Sequence, residues 1–259
     1  MRCSFCLAVG LVLGAMTGAS GVTWSVTTLA QFKNAMANVA PGDVIEVQYG
    51  VYQTTSTSDT KNWFRNAGTA AAPITIRGVA DGQGQRPVFD SSGVEVDRGI
   101  FYIWSYCPYY IIENIEFRNS RGPSTSTNSA AAYITAANIT IRNCYSHDND
   151  TGWSSAASAS NLLMDYCETA FNGGGSAPHN YYLNSSSATV RGNYIHDSVL
   201  SYQGGQNFKS RCAHLVFEYN FLERDGNYSW EIASANANNT LMIGRSEEHT
   251  SELQSRQVI

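Results

Sequence analysis

Short apolar strands recur along the chain in pairs, the second following the first by nine positions. The pairs centre on Ile103 and Ile112, Ala132 and Ile141, Tyr181 and Val190, Phe208 and Phe217, and Ile232 and Leu241, with Ser155 and Met164 following the pattern less closely. The second members step by 29, 23, 26, 27 and 24 residues. Polar turns follow them, such as Phe117-Arg118-Asn119, Ser146-His147-Asp148-Asn149 and Ile195-His196-Asp197. An irregular period in the twenties, with β-branched and aromatic strands and Asn-rich turns, predicts stacked coils. The Leu-x-x-Leu-x-Leu frame of leucine-rich repeats is missing, and a β-sandwich would not give this periodicity.

Ahead of the repeats, Leu29, Phe32, Met36 and Val39 share one face of a predicted helix over Val26–Val39, with Thr27 or Thr28 able to cap its start. Pro41-Gly42-Asp43 stops the helix, and Val44–Val47 reads as a strand. A solenoid needs such a cap, because its first strand would otherwise be an open edge.

The two ends of the chain read differently from the repeats. Arg2, the apolar run Phe5–Met16, and Ala19 and Gly21 spaced for cleavage before Val22 predict a signal peptide over residues 1–21. The mature protein is then expected to be secreted, either extracellular or periplasmic. Arg245–Ser255 matches the in-frame translation of a common sequencing-library adapter, and the apolar pattern stops there. The expected organisation is therefore a β-helix domain over 22–244, a non-native tail over 245–259, and a natural gene that continues past Gly244 into further C-terminal coils.

Composition narrows the partners. Charged residues are 14% of the chain and the formal net charge is −5, so no basic footprint for nucleic acid is present. Beyond the leader no run is long enough to span a bilayer, so no membrane partner is expected, and the chain is expected to be monomeric. Cys107, Cys144, Cys167 and Cys212 remain after the leader, none in CxxC spacing. Cys144 and Cys167 fall at equivalent places in successive repeats, where they either pair or stack as small apolar residues.

Two stretches carry a resemblance. Pro41-Gly42-Asp43-Val44-Ile45 with Gly50-Val51-Tyr52, then Gly68–Gly78, resemble the N-terminal coils of secreted β-helix proteins of the pectate-lyase-like and chondroitinase-B/alginate-lyase families. The resemblance runs from about residue 22 to 244. It implies an all-β, right-handed parallel β-helix with an N-terminal capping helix, in agreement with the preference for right-handed crossovers. It also implies chemistry on acidic polysaccharides.

Candidate chemistry falls in three adjacent coils. If Tyr181, Phe208 and Ile232 stack inside, alternation turns their neighbours outward. One outward column is then Asn180, Asn207 and Glu231; the next holds Tyr182 and Lys209; a third holds Asn184 and Arg211. β-Elimination from a uronate needs the carboxylate neutralised and a base near C5. Lys209 is the candidate base, its pKa lowered by neighbouring cations, and Arg211 the carboxylate clamp. His179 is a candidate acid/base or hydrogen-bonding group beside them. Tyr182, Asn184 and Asn207 are expected to bind substrate, and Asn180 and Glu231 are candidate oxygen ligands for Ca²⁺. The chondroitinase-B/alginate-lyase family uses the same residue types. A non-catalytic carbohydrate-binding or adhesin β-helix is the competing reading, since a Lys-x-Arg pair on a β-helix is often plain surface. A glycoside hydrolase ranks third, because Glu231 lacks an acidic partner in these columns.

Other features are weighed against structure. His147-Asp148 and His196-Asp197 occupy equivalent turns and read as stacked structural pairs, with metal ligation the lesser alternative. Trp104, Tyr106, Tyr109, Tyr110, Tyr133 and Trp153 are either sugar platforms or core filler.

Overall fold

A computed structural model describes residues 21–56, 60–123, 129–174, 179–199, 205–226, 228–232, 239–244 and 246–248. Residues 1–20 of the expected leader and the tail other than Ser246–Glu248 lie outside the described residues. The described residues form three parallel sheets of nine, eight and six strands, in which each strand pairs with its equivalent one coil away. The chain is a right-handed parallel β-helix of about six turns, with one α-helix among the described residues. In each regular coil the chain passes through the six-, nine- and eight-stranded sheets in turn, as in Ala130–Ile134, Ile139–Arg142 and Tyr145–His147.

The capping helix spans Leu29–Asn38, and Thr28 caps it by accepting from the Gln31 amide. Its buried face is Phe32, Ala35 and Met36. The Phe32 ring meets Phe89 at 4.9 Å, Trp63 at 5.5 Å and Phe101 at 5.8 Å, closing the open end of the solenoid. Burying a ring of this size stabilises by about 1.5–3 kcal/mol.

Five of the six second members align as expected: Ile112, Ile141, Met164, Val190 and Phe217 form one stacked column of the nine-stranded sheet. In the last coil Met242 takes the place expected for Leu241, which is exposed. The first members divide between two columns. Phe101, Ala132, Trp153, Tyr181, Phe208 and Trp230 stack in one, and Ile103, Ile134, Ser155, Leu183, Ser210 and Ile232 in the other. Trp230, not Ile232, is the rung above Phe208. Both columns are core positions two residues apart, so a two-residue slip leaves the apolar pattern unchanged.

A second correction concerns alternation. In the six-stranded sheet consecutive residues are buried in four coils: Ile100 and Phe101, Ala131 and Ala132, Asn180 and Tyr181, Asn207 and Phe208. Where this happens the two-residue period fails, and residues expected outside lie within.

On seven of the nine strands of the nine-stranded sheet the residue after the core position points outward, and these residues alternate in charge. Glu46, Arg77, Glu113, Arg142, Asp165, Arg191 and Glu218 are consecutive neighbours across seven strands. Glu113 lies between Arg77 and Arg142, each 2.5 Å away, and Arg191 is 2.9 Å from Asp165. Burial works against the Glu113 carboxylate, but the bonds from Arg77 and Arg142 prevail and hold its pKa below 4.5. The next residue turns the corner with φ between 48° and 65°, at Asn114, Asn143, Tyr166, Gly192, Tyr219 and Gly244. This left-handed conformation favours Gly and Asn.

Inside that corner Cys144 and Cys167 sit in adjacent coils, buried as free thiols. They stack rather than pair. One and two coils further on, Asn193 and Asn220 continue the column, the Asn193 amide donating to Asn220 Oδ1 at 2.8 Å.

Candidate functional site

The candidate residues belong to the outer face and interior of the six-stranded sheet. Register places Tyr182, Lys209 and Glu231 in one row across three coils, and His179 beside Gln206. Lys209 Nζ lies 3.0 Å from Glu231 Oε2, and the Gln206 amide donates to the same oxygen. Arg211, just past its strand, is exposed, and its guanidinium carbon stands 5.6 Å from the Tyr182 ring centroid. Asn184 is half-buried beside it, its backbone amide donating to Ser155 Oγ.

His179 is buried at 3% exposure, 5.5 Å ring to ring from Tyr182, and its Nδ1 has no hydrogen-bond partner among the described residues. Burial, with Lys209 and Arg211 adding to it, pushes its pKa down to about 3. It is therefore a neutral imidazole near neutral pH, buried beside Tyr182 and within reach of the charge of both cations.

Asn180 and Asn207 are corrected. Both are fully buried, and they form a ladder inside the coils rather than an outward column. Asn149 donates to Asn172, Asn172 to Asn180 at 2.8 Å, and Asn180 to Asn207 at 2.8 Å. The other amide hydrogen of Asn180 goes to the His196 carbonyl, and the Asn207 amide donates to the Glu223 carbonyl. Buried amides are kept only when satisfied in this way. Glu231 aligns with Lys209 instead of Asn207, so the donor set Asn180, Asn207 and Glu231 does not assemble. Among the described residues no group of three His, Cys, Asp or Glu side chains stands close enough to share a cation.

His147 and His196 of the two His-Asp pairs lie on the eight-stranded sheet, each against neighbouring carboxylates. His147 contacts Asp148 at 2.6 Å and Glu116 at 3.1 Å; His196 contacts Asp197 at 2.6 Å. Burial opposes the charged His147 ring, but Glu116 and Asp148 outweigh it and raise its pKa. Trp153 and Tyr110 are core residues, whereas Tyr106 is exposed and Trp104 and Tyr133 are half-buried.

Residues not anticipated from sequence include Gln206 and Tyr102. Tyr102 stacks on Tyr133 with centroids 5.3 Å apart and planes 4° from parallel. Their shared place in successive strands was the available signal.

These features define the chain as a right-handed parallel β-helix protein with an aromatic and charged outer face on its six-stranded sheet. Among solved structures it is similar to a rhamnogalacturonan lyase, with TM-score 0.57 and 15% identity, over 88% of this chain and 66% of that one. It is also similar to the pectate lyase Pel9A, with TM-score 0.51 and 13% identity, over 92% of this chain and 80% of that one. At these identities the likeness is one of fold. No protein-family description matches the chain, and no curated protein matches it in sequence.

Proposed function

We propose that the chain is a secreted polysaccharide lyase that cleaves a uronic-acid polymer by β-elimination on the outer face of the six-stranded sheet. The observation that carries this reading is the convergence of Lys209, Arg211, Tyr182 and neutral His179 on one patch. The fold shared with a rhamnogalacturonan lyase and a pectate lyase supports it. Export is part of the reading, since a polymer of this size is met outside the cell, and it rests on residues 1–21.

Arg211 offers two parallel N–H donors to the uronate carboxylate and stabilises the negative charge that develops there. Lys209 Nζ removes the C5 proton. The C5–H electrons form the C4=C5 double bond as the C4–O4 bond breaks, and O4 leaves with the proton carried by the Lys209 ammonium. Glu231, 3.0 Å from Nζ, stabilises that ammonium while it lasts. His179, uncharged, and Tyr182 orient the sugar by hydrogen bonding and ring contact. No step is routed through Ca²⁺, because the donor set considered for it does not assemble.

The test is incubation with pectate, alginate and rhamnogalacturonan, with and without a chelator, following ultraviolet absorbance of the unsaturated product. Absorbance should rise with one polymer and stop rising in Lys209→Ala. Full activity in Lys209→Ala would remove the base assignment. A chelator-sensitive rate would place a cation outside the residues named above. A second reading, a non-catalytic binding surface, is favoured by the Lys209–Glu231 ion pair, which by itself is a stable surface contact. Absence of product on every polymer would put that reading first.

A further inference from the structure

The outer row of the six-stranded sheet reads Tyr102, Tyr133, Ser154, Tyr182, Lys209 and Glu231, one residue per coil. Every member is large except Ser154. Tyr102 and Tyr133, one coil apart, fill their rungs as a parallel stack at 5.3 Å. At Ser154 the stack lacks a rung.

The walls of this gap are supported from behind. Tyr133 is backed from the preceding coil by Tyr102 and by Arg98, whose guanidinium carbon is 5.7 Å from its centroid. Tyr182 is backed by Arg211 from the following coil at 5.6 Å, and by His179 on its own strand. Among the described residues, no aromatic or cationic side chain from the coil of Ser154 stacks on either ring, and Trp153 of that coil is in the core. Coils repeat at about 4.8 Å, so Tyr133 and Tyr182 stand about 10 Å apart. One ring placed midway lies about 5 Å from each wall, within the spacing of stacked rings.

We propose that this gap is a sugar-ring slot, in which one pyranose unit of an acidic polysaccharide lies between Tyr133 and Tyr182 above Ser154. The inference rests on the polysaccharide reading above and extends it. C–H groups on the two faces of a pyranose suit the negative faces of aromatic rings. The tyrosine hydroxyls offer partners for its edge. Arg98, Arg211 and Lys209 make the row attractive to a polyanion. The slot lies two coils, about 10 Å, before Lys209. An anchored unit therefore lies on the N-terminal side of the reacting one.

Ser154→Tyr supplies the missing rung and closes the slot. The experiment is calorimetric titration of the full chain with hexameric galacturonate, mannuronate and guluronate. Ser154→Tyr should weaken the oligomer that binds best by tenfold or more, and Thr189→Tyr, on the nine-stranded sheet, should bind it as the unaltered chain does. Should Ser154→Tyr fail to fold, Tyr133→Leu should show the same loss. Unchanged affinity in either folded slot variant, or no binding of any hexamer to the unaltered chain, overturns the slot. Weakened binding without any unsaturated product would sink the lyase reading and leave the slot. Unsaturated product with an unchanged KM in Ser154→Tyr would do the reverse.

Discussion

The Asn180 side chain donates to Asn207 Oδ1 at 2.8 Å in the interior of the solenoid, one rung of a ladder that begins at Asn149. Its other partners are the His196 carbonyl and the Asn172 amide. Asn180→Ala would leave these groups unsatisfied, at about 1–3 kcal/mol for each one that water cannot reach. The expected outcome is a clear fall in the urea midpoint with turnover per folded molecule retained. Lost turnover at unchanged stability would mean that Asn180 acts on substrate.

Arg211 is assigned for geometry as much as for charge. A lysine there keeps the charge but loses the planar pair of donors. Arg211→Lys should lower kcat/KM by about ten- to a hundredfold, equivalent to about 1.4–2.7 kcal/mol. The ultraviolet product assay at several polymer concentrations measures it. Equal kcat/KM would show that Arg211 contributes charge alone.

His179 makes stability depend on pH. Burial first, then Lys209 and Arg211, lowers its folded pKa from 6.5 to about 3. Between those values the unfolded chain binds a proton that the folded chain refuses. This contribution to stability is complete above pH 6.5 and is lost as pH falls towards 3, by up to about 1.4 kcal/mol per unit. Urea titrations between pH 4 and 7 should show a shallower slope for His179→Gln than for the unaltered chain. Parallel slopes would mean that the imidazole charges freely in the folded state.

Much of this architecture was legible in the chain. Ile112, Ile141, Met164, Val190 and Phe217 announce the coils because each must be apolar to stack, and Thr28 and Phe32 announce the cap. The placing of the candidate residues was legible in part. Lys209, Arg211, Tyr182 and His179 do come together, because their facing depends on register within two coils. Asn180 and Asn207 were misplaced because the chain buries two consecutive residues there, which no alternating pattern encodes. Glu231 was placed one column away because Trp230 and Ile232 are equally good core residues two positions apart. The charge ladder was missed although its signal is plain: the residues after those five core positions are Glu113, Arg142, Asp165, Arg191 and Glu218.

That ladder constrains how the molecule can change length. Removing the Arg142 strand's coil would set Glu113 beside Asp165, and like charges facing each other across neighbouring strands destabilise a sheet. Removing that coil together with the next would set Glu113 beside Arg191. Deletion of residues 114–142 should therefore lower thermal stability more than deletion of 114–165, despite excising less core. A greater loss in the longer deletion would show the ladder to be incidental. Written along one edge of the solenoid is thus a parity rule: removing two coils keeps opposite charges adjacent, and removing one does not.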